Sequence, residues 1–171
     1  MPTTNKLGWD SIARPWLPVL ENSVRAAVAA VASVLVAQLF RLPESYWAPI
    51  TTLVITQSSL GAALSVSSQR LIGTALGAVV GAIAASYFGR NTFVFGAGVF
   101  ILGLLSAAVG SDRSAYRFGG VTLAIVLLVP RAGPAWETAF HRCAEVFIGI
   151  GVALLLAVVW PEKEPLPPAK T

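Results

Sequence analysis

The sequence predicts an all-α membrane protein of six transmembrane helices, and three observations predict it. Of its 171 residues 56% are hydrophobic and 12% charged, about half of the roughly 25% charge that wets a soluble domain. The apolar residues fall into six runs of about 16 to 23 residues. Seventeen helical residues at about 1.5 Å each reach roughly 26 Å, close to the ~30 Å of a bilayer core. The lysines and arginines behind the net charge of +4 stand singly between these runs. Loops of a polytopic membrane protein carry charge in that way, whereas a nucleic-acid surface clusters it.

Residues 1–21 are polar to amphipathic, with Trp9 and Trp16 among Lys6, Asp10, Arg14 and Glu21. Tryptophan prefers the headgroup level, so this reads as an interfacial N-terminal segment. It has no basic stretch followed by an apolar one, and no cleaved signal peptide is expected. Residues 22–160 hold the six-helix transmembrane domain. Its first span, 24–40, is apolar apart from Arg25, Ser33 and Gln38; the second, 46–62, enters through Tyr46 and Trp47. Residues 70–88, 92–110, 115–130 and 138–160 supply the third to sixth. Pro161, Pro165, Pro167 and Pro168 make 161–171 a disordered cytoplasmic tail. With the N-terminus inside, eight cations (Lys6, Arg14, Arg25, Arg70, Arg113, Arg117, Lys163, Lys170) face the cytoplasm, and Arg41, Arg90, Arg131 and Arg142 face out. That excess places both termini in the cytoplasm. The single cysteine, Cys143, excludes an internal disulfide.

A repeat runs faintly through the chain. Tyr46 and Tyr116 are 70 residues apart, and at the same offset Thr52 matches Thr122, Leu53 matches Leu123 and Ile55 matches Ile125. Arg70 precedes Gly77 by seven residues, as Arg142 precedes Gly149. Three helices reverse direction, so such halves form a 3+3 inverted repeat, the plan that secondary transporters use to place substrate at the midplane. The bland alternative is that both halves obey one transmembrane composition.

Several residues invite chemistry. Gly73, Gly77 and Gly81 put small residues on one face of the third helix, a packing seam, and Gly96, Gly103 and Gly110 suggest another on the fourth. The second helix carries Thr52, Thr56 and Ser59 as a polar stripe, and hydroxyls there can bond their own helix carbonyls. Gln57 is harder to dismiss, because its amide needs outside partners at membrane depth. Glu145 has His141 four and Arg142 three residues before it, within reach on a helix face. A charge at the bilayer centre costs about 2.5–3.5 kcal/mol even on lenient scales, so the carboxylate must be paired as a clamp or a proton- or substrate-linked site. Arg70 reads as a snorkelling cation at the inner end of its helix, or as an attractor of organic anions. There is no phosphate loop, metal-spaced His/Cys cluster or nucleophile elbow. No cofactor, metal or enzymatic activity is expected, and transport would run on electrochemical gradients.

The ordered string Tyr46-Trp47-Ala48-Pro49-Ile50-Thr51, Gln57-Ser58-Ser59-Leu60-Gly61-Ala62 and Gln69-Arg70-Leu71-Ile72-Gly73-Thr74-Ala75-Leu76-Gly77 resembles the fusaric acid resistance-like family of aromatic acid exporters. Arg142 to Gly149 looks like that family's second-half counterpart. The resemblance implies a bacterial inner-membrane efflux transporter for small organic, chiefly aromatic, acids. Larger members look like two such units with added soluble domains, so a short unit implies a homodimer or higher homo-oligomer. The expected partners are the lipid bilayer and small organic anions, without nucleic acid. The expected pathway residues are Tyr46, Trp47, Thr52, Thr56, Gln57, Arg70, Arg142 and Glu145. Two rivals stand beside the exporter: an anion channel, since plant malate channels are distantly similar, and a non-transporting membrane scaffold subunit.

Overall fold

With no water in the hydrocarbon core, a chain there must satisfy its own backbone, and helices do so within each segment. The computed structural model describes residues 16–56, 60–110, 113–130 and 133–161. These form α1 (Trp16–Leu39), α2 (Trp47–Thr56), α3 (Leu60–Tyr87), α4 (Thr92–Ala108), α5 (Arg113–Leu128) and α6 (Ala135–Val159). Three segments, Val19–Leu39, Leu60–Tyr87 and Ala135–Val159, are long and apolar enough to cross a membrane.

The helices are less equal than the sequence suggested. The expected span 46–62 is divided: α2 ends at Thr56 and Leu60 already opens α3. Ten residues extend only about 15 Å, too little to cross a bilayer core alone. Leu60, Gly61 and Ala62 therefore belong to α3, whose 28 residues begin ten positions before the expected start. Gln57, Ser58 and Ser59 lie outside the described residues, as do 1–15 and 162–171. Residues 16–21, read as interfacial, form the first turns of α1.

Tight turns reverse the chain. Arg41 takes a left-handed conformation (φ 52°) after α1, and Leu42 N–H donates back to the Ala37 carbonyl at 3.1 Å. Between α3 and α4, Gly89 supplies φ 78°, and Asn91 caps α4 by accepting from Val94 N–H at 2.9 Å. Arg25 in α1 donates to the carbonyls of Thr56 and Trp160. The start of α1 and the ends of α2 and α6 therefore share one face of the bundle.

The expected glycine seam on α3 packs against α5. A Cβ at Gly73 would strike the Ala115 carbonyl, and one at Gly77 the Gly119 carbonyl, so these backbones touch. Gly81 ends the seam, where an added Cβ would lie 3.0 Å from Val126 Cβ. The seam expected on α4 is not where the seven-residue spacing put it. A Cβ added at Gly96 would meet nothing within 4 Å, one at Gly103 would reach only the Tyr116 ring, and Gly110 lies beyond the helix at φ 66°. Gly98 is buried there instead, and a Cβ added to it would lie 3.1 Å from Leu123 Cδ2. Spacing of seven keeps residues on one face but does not say what that face meets. Gly96→Ala should accordingly raise stability by about 0.5–1 kcal/mol through helix propensity alone, read by denaturant titration in micelles.

Polarity is inverted relative to a soluble protein. Leu35, Phe93, Phe100, Leu155 and Val158 are exposed, whereas Arg25, Arg70, Arg142, Glu145, Thr51, Thr52 and Thr122 are buried. An apolar exterior meets lipid at no cost, and ionisable groups turn to the bundle interior.

Candidate functional site

Buried arginines define the site. Because α3 starts at Leu60, Arg70 lies three turns inside the helix and does not snorkel to its end. Only 7% of it is exposed. Its Nε donates to Thr51 Oγ1 of α2 at 3.2 Å, and the guanidinium sits 4.8 Å from the Phe118 ring centroid of α5. Among the described residues no acidic side chain pairs with it. Arg142 of α6, placed by the sequence at the outer side, is 2% exposed. It lies 4.0 Å over the Trp47 ring and donates through Nη1 to Glu145 Oε2 at 2.8 Å. Desolvated cation–π contacts of this kind are worth about 2 kcal/mol. Glu145 is fully buried, and Arg142 makes its ion pair; His141 is half-buried beside Phe140.

Both guanidinium groups line one cavity of about 170 Å³, walled by α2, α3, α5 and α6. Trp47, Arg70 and Arg142 of the expected pathway residues come together there, with Glu145 behind Arg142. The others do not line it. Tyr46 is exposed and stacks on Trp47 with centroids 5.6 Å apart. Thr52 Oγ1 bonds the carbonyls of Ala48 (3.1 Å) and Gly149 (3.0 Å), tying α2 to α6. Thr56 Oγ1 donates to the Thr52 carbonyl at 2.7 Å. Gln57 is outside the described residues. Thr51, Thr74, Phe118 and Thr122 were not expected at the site; of these only Thr51, four residues after Trp47, and Thr74, four residues after Arg70, share a helix face with an expected pathway residue on their own helix.

Arg25 was also missed, read as one more inner-side cation. It is 4% exposed and donates to the Thr56 carbonyl at 2.6 Å and the Trp160 carbonyl at 3.2 Å. Helix ends leave four carbonyls without intrahelical partners, and a cation there also complements the helix dipole. Arg25 thereby closes α2 at depth and fastens it to α6. Arg25→Met should cost about 1.5–3 kcal/mol, the range for hydrogen bonds to a charged group. The SDS concentration at half-unfolding measures it.

The contacts around the cavity come in pairs. Arg70 of α3 covers Phe118 of α5, and Arg142 of α6 covers Trp47 of α2. Gly77 abuts the Gly119 carbonyl, and Gly149 abuts the Ala48 carbonyl. Trp47 and Phe118 are 71 residues apart, as are Ala48 and Gly119; Arg70 and Arg142 are 72 apart, as are Gly77 and Gly149. Ile50 and Val121, and Thr74 and Val146, line the cavity at the same offsets. At the 71-residue spacing Thr51 pairs with Thr122, whereas the 70-residue spacing had paired Thr52 with it. The carboxylate breaks the pattern, for 72 residues before Glu145 stands Gly73.

No solved structure matches the chain. It is 30% identical over 149 residues to the inner membrane protein YeeA of Escherichia coli K12, covering 83% of this chain and 41% of the relative. It is 26% identical over 176 residues to the uncharacterized transporter YdhK of the same organism, covering 92% and 25%. To the Mycobacterium tuberculosis protein named "Putative arylamide transporter" it is 27% identical over 156 residues, covering 87% and 42%. The chain thus spans between a quarter and about two fifths of the length of these relatives. The model of the fusaric acid resistance protein-like family matches residues 29–156, which include both arginines, both glycine contacts and the buried carboxylate, and the chain belongs to that family.

Proposed function

We propose that the protein is an inner-membrane efflux transporter for small organic, chiefly aromatic, acids. It works as a six-helix unit of two inverted three-helix repeats with both termini cytoplasmic, and assembles as a homodimer or higher oligomer. The observation that carries this reading is the pair of buried guanidinium groups on one cavity inside a bundle with an apolar exterior. Buried charge at membrane depth is expensive and is retained where an ion path needs it. The paired contacts support inverted repeats, which bring related side chains from opposite directions to the midplane. Relatives named as transporters support the activity, and the arylamide named in one supports an aryl substrate.

Arg70 and Arg142 attract the carboxylate of the substrate, Trp47 and Phe118 offer ring faces to its body, and Glu145 holds Arg142 in place. Thr52 and Gly149 keep α2 on α6, so that Trp47 stays over Arg142. A cavity of about 170 Å³ is below the roughly 300–1,000 Å³ of ligand pockets; this is the closed form, and α2 and α5 must separate to admit an aromatic acid. A negative-inside potential helps an anion leave by about 2.3 kcal/mol per charge at 100 mV.

Counterflow of labelled benzoate in proteoliposomes tests the reading. Wild type should exchange benzoate, and Arg70→Gln should lower the rate at least about tenfold, since hydrogen bonds to charged groups reach about 1.5–3 kcal/mol. Absence of flux for every organic acid tried, with and without ion gradients, refutes transport.

A further inference from the structure

The two halves match in their arginines, aromatic rings and glycine contacts, but not in charge. Arg70 corresponds to Arg142, yet Glu145 corresponds to Gly73. No side chain fits at 73, because its Cβ would strike the Ala115 carbonyl. Among the described residues, the buried charged groups at the cavity are Arg70 and Arg142 on its wall and Glu145 behind Arg142, and together they carry one positive charge. Arg142 is matched by Glu145 at 2.8 Å. Arg70 has a hydroxyl and a ring face but, among the described residues, no acid. Glu44, in the turn before α2, accepts from Trp47 Nε1 at 3.0 Å and lines a different cleft with Glu137 and His141.

We infer that Glu145 sets the valence of the transported anion: the cavity takes a single monovalent carboxylate against Arg70 and rejects dianions. A buried site is least costly when its charges sum to zero with the occupant in place, and one negative charge completes this one. A second charge on the occupant would meet Arg142, whose charge Glu145 already matches from behind, and an unmatched charge in a desolvated site discriminates strongly. The inference rests on the transport reading above and adds to it the residue that fixes charge selectivity.

The test compares benzoate with phthalate at pH 8, where they carry one and two negative charges, in proteoliposomes, with rates normalised to monodisperse folded protein. Wild type should prefer benzoate by about tenfold or more. Glu145→Gln, which removes the one carboxylate paired with Arg142 at 2.8 Å and raises the charge at the cavity by one, should invert the preference. The double variant Arg142→Gln/Glu145→Gln, which lowers that charge again, should restore it. Should Glu145→Gln alone not fold, Arg142→Gln keeps the question open to refutation. With Arg70 and Glu145 only, it should lose discrimination between benzoate and neutral benzamide, which the double variant regains. A folded Glu145→Gln protein that still prefers benzoate, or a double variant that does not regain charge selectivity, overturns the inference while transport stands. Wild type that moves neither anion overturns the transport reading instead.

Discussion

Valine in place of Gly77 should cost about 3 kcal/mol or more and leave most of the protein unfolded in mixed micelles. Overpacking a core usually costs about 1–3 kcal/mol, because side chains rotate and neighbours yield. Here the obstacle is the Gly119 carbonyl, part of the α5 backbone, and a Cβ at 77 falls on it. Nothing short of moving α5 relieves the clash, and Gly73 keeps α5 equally close one turn away. Transmembrane helices associate through packing and polar contacts, without a hydrophobic drive between them. A separated seam is therefore not offset by burial elsewhere. SDS-titrated unfolding gives the cost, with Gly96→Val, which meets open space, as its counterpart within about 1 kcal/mol of wild type. Equal losses at both positions would mean that α3 and α5 do not meet there.

The ion pair should give the other large effect. Arg142→Met or Glu145→Leu alone should each cost about 3–5 kcal/mol, the range for breaking a buried pair by removing one partner. The double substitution should come back to within about 1 kcal/mol of wild type, since apolar side chains of similar volume replace buried ion pairs at little cost. The coupling between the two positions, measured by the same unfolding titration, should therefore be several kcal/mol. Independent, additive losses would mean that Glu145 is held by other groups and that Arg142 owes its place to Trp47.

Much of this architecture could be read from the residues. The six helical runs follow from apolar length, the α3 seam from Gly73, Gly77 and Gly81, and the Arg142–Glu145 pair from i, i+3 spacing. The α2–α3 boundary could not be read. No proline separates Thr56 from Leu60, and the premise that each span fills the bilayer carried the second helix on to residue 62. That misplaced start turned Arg70 from an interior residue into a terminal one, so its burial was missed. Arg25 failed for a related reason: its partners are backbone carbonyls at the ends of α2 and α6, and carbonyls leave no mark on a sequence. Matches at offset 70 were visible in the sequence, but the paired contacts at 71 and 72 emerge only when Arg70 and Arg142 are seen over Phe118 and Trp47. Gln57, the polar residue most suggestive by type, lies outside the described residues.

The exchanged partners of the two halves bear on how the chain is made. Gly73 and Gly77 have nothing to lie against until Ala115 and Gly119 have been translated, and Trp47 waits for Arg142, almost a hundred residues later. Until then α1, α2 and α3 are an unfinished assembly, with a bare glycine ridge on α3 and Arg70 short of its aromatic cover. Expressed as two separate polypeptides, the halves should each be short-lived and should rescue one another only when produced together.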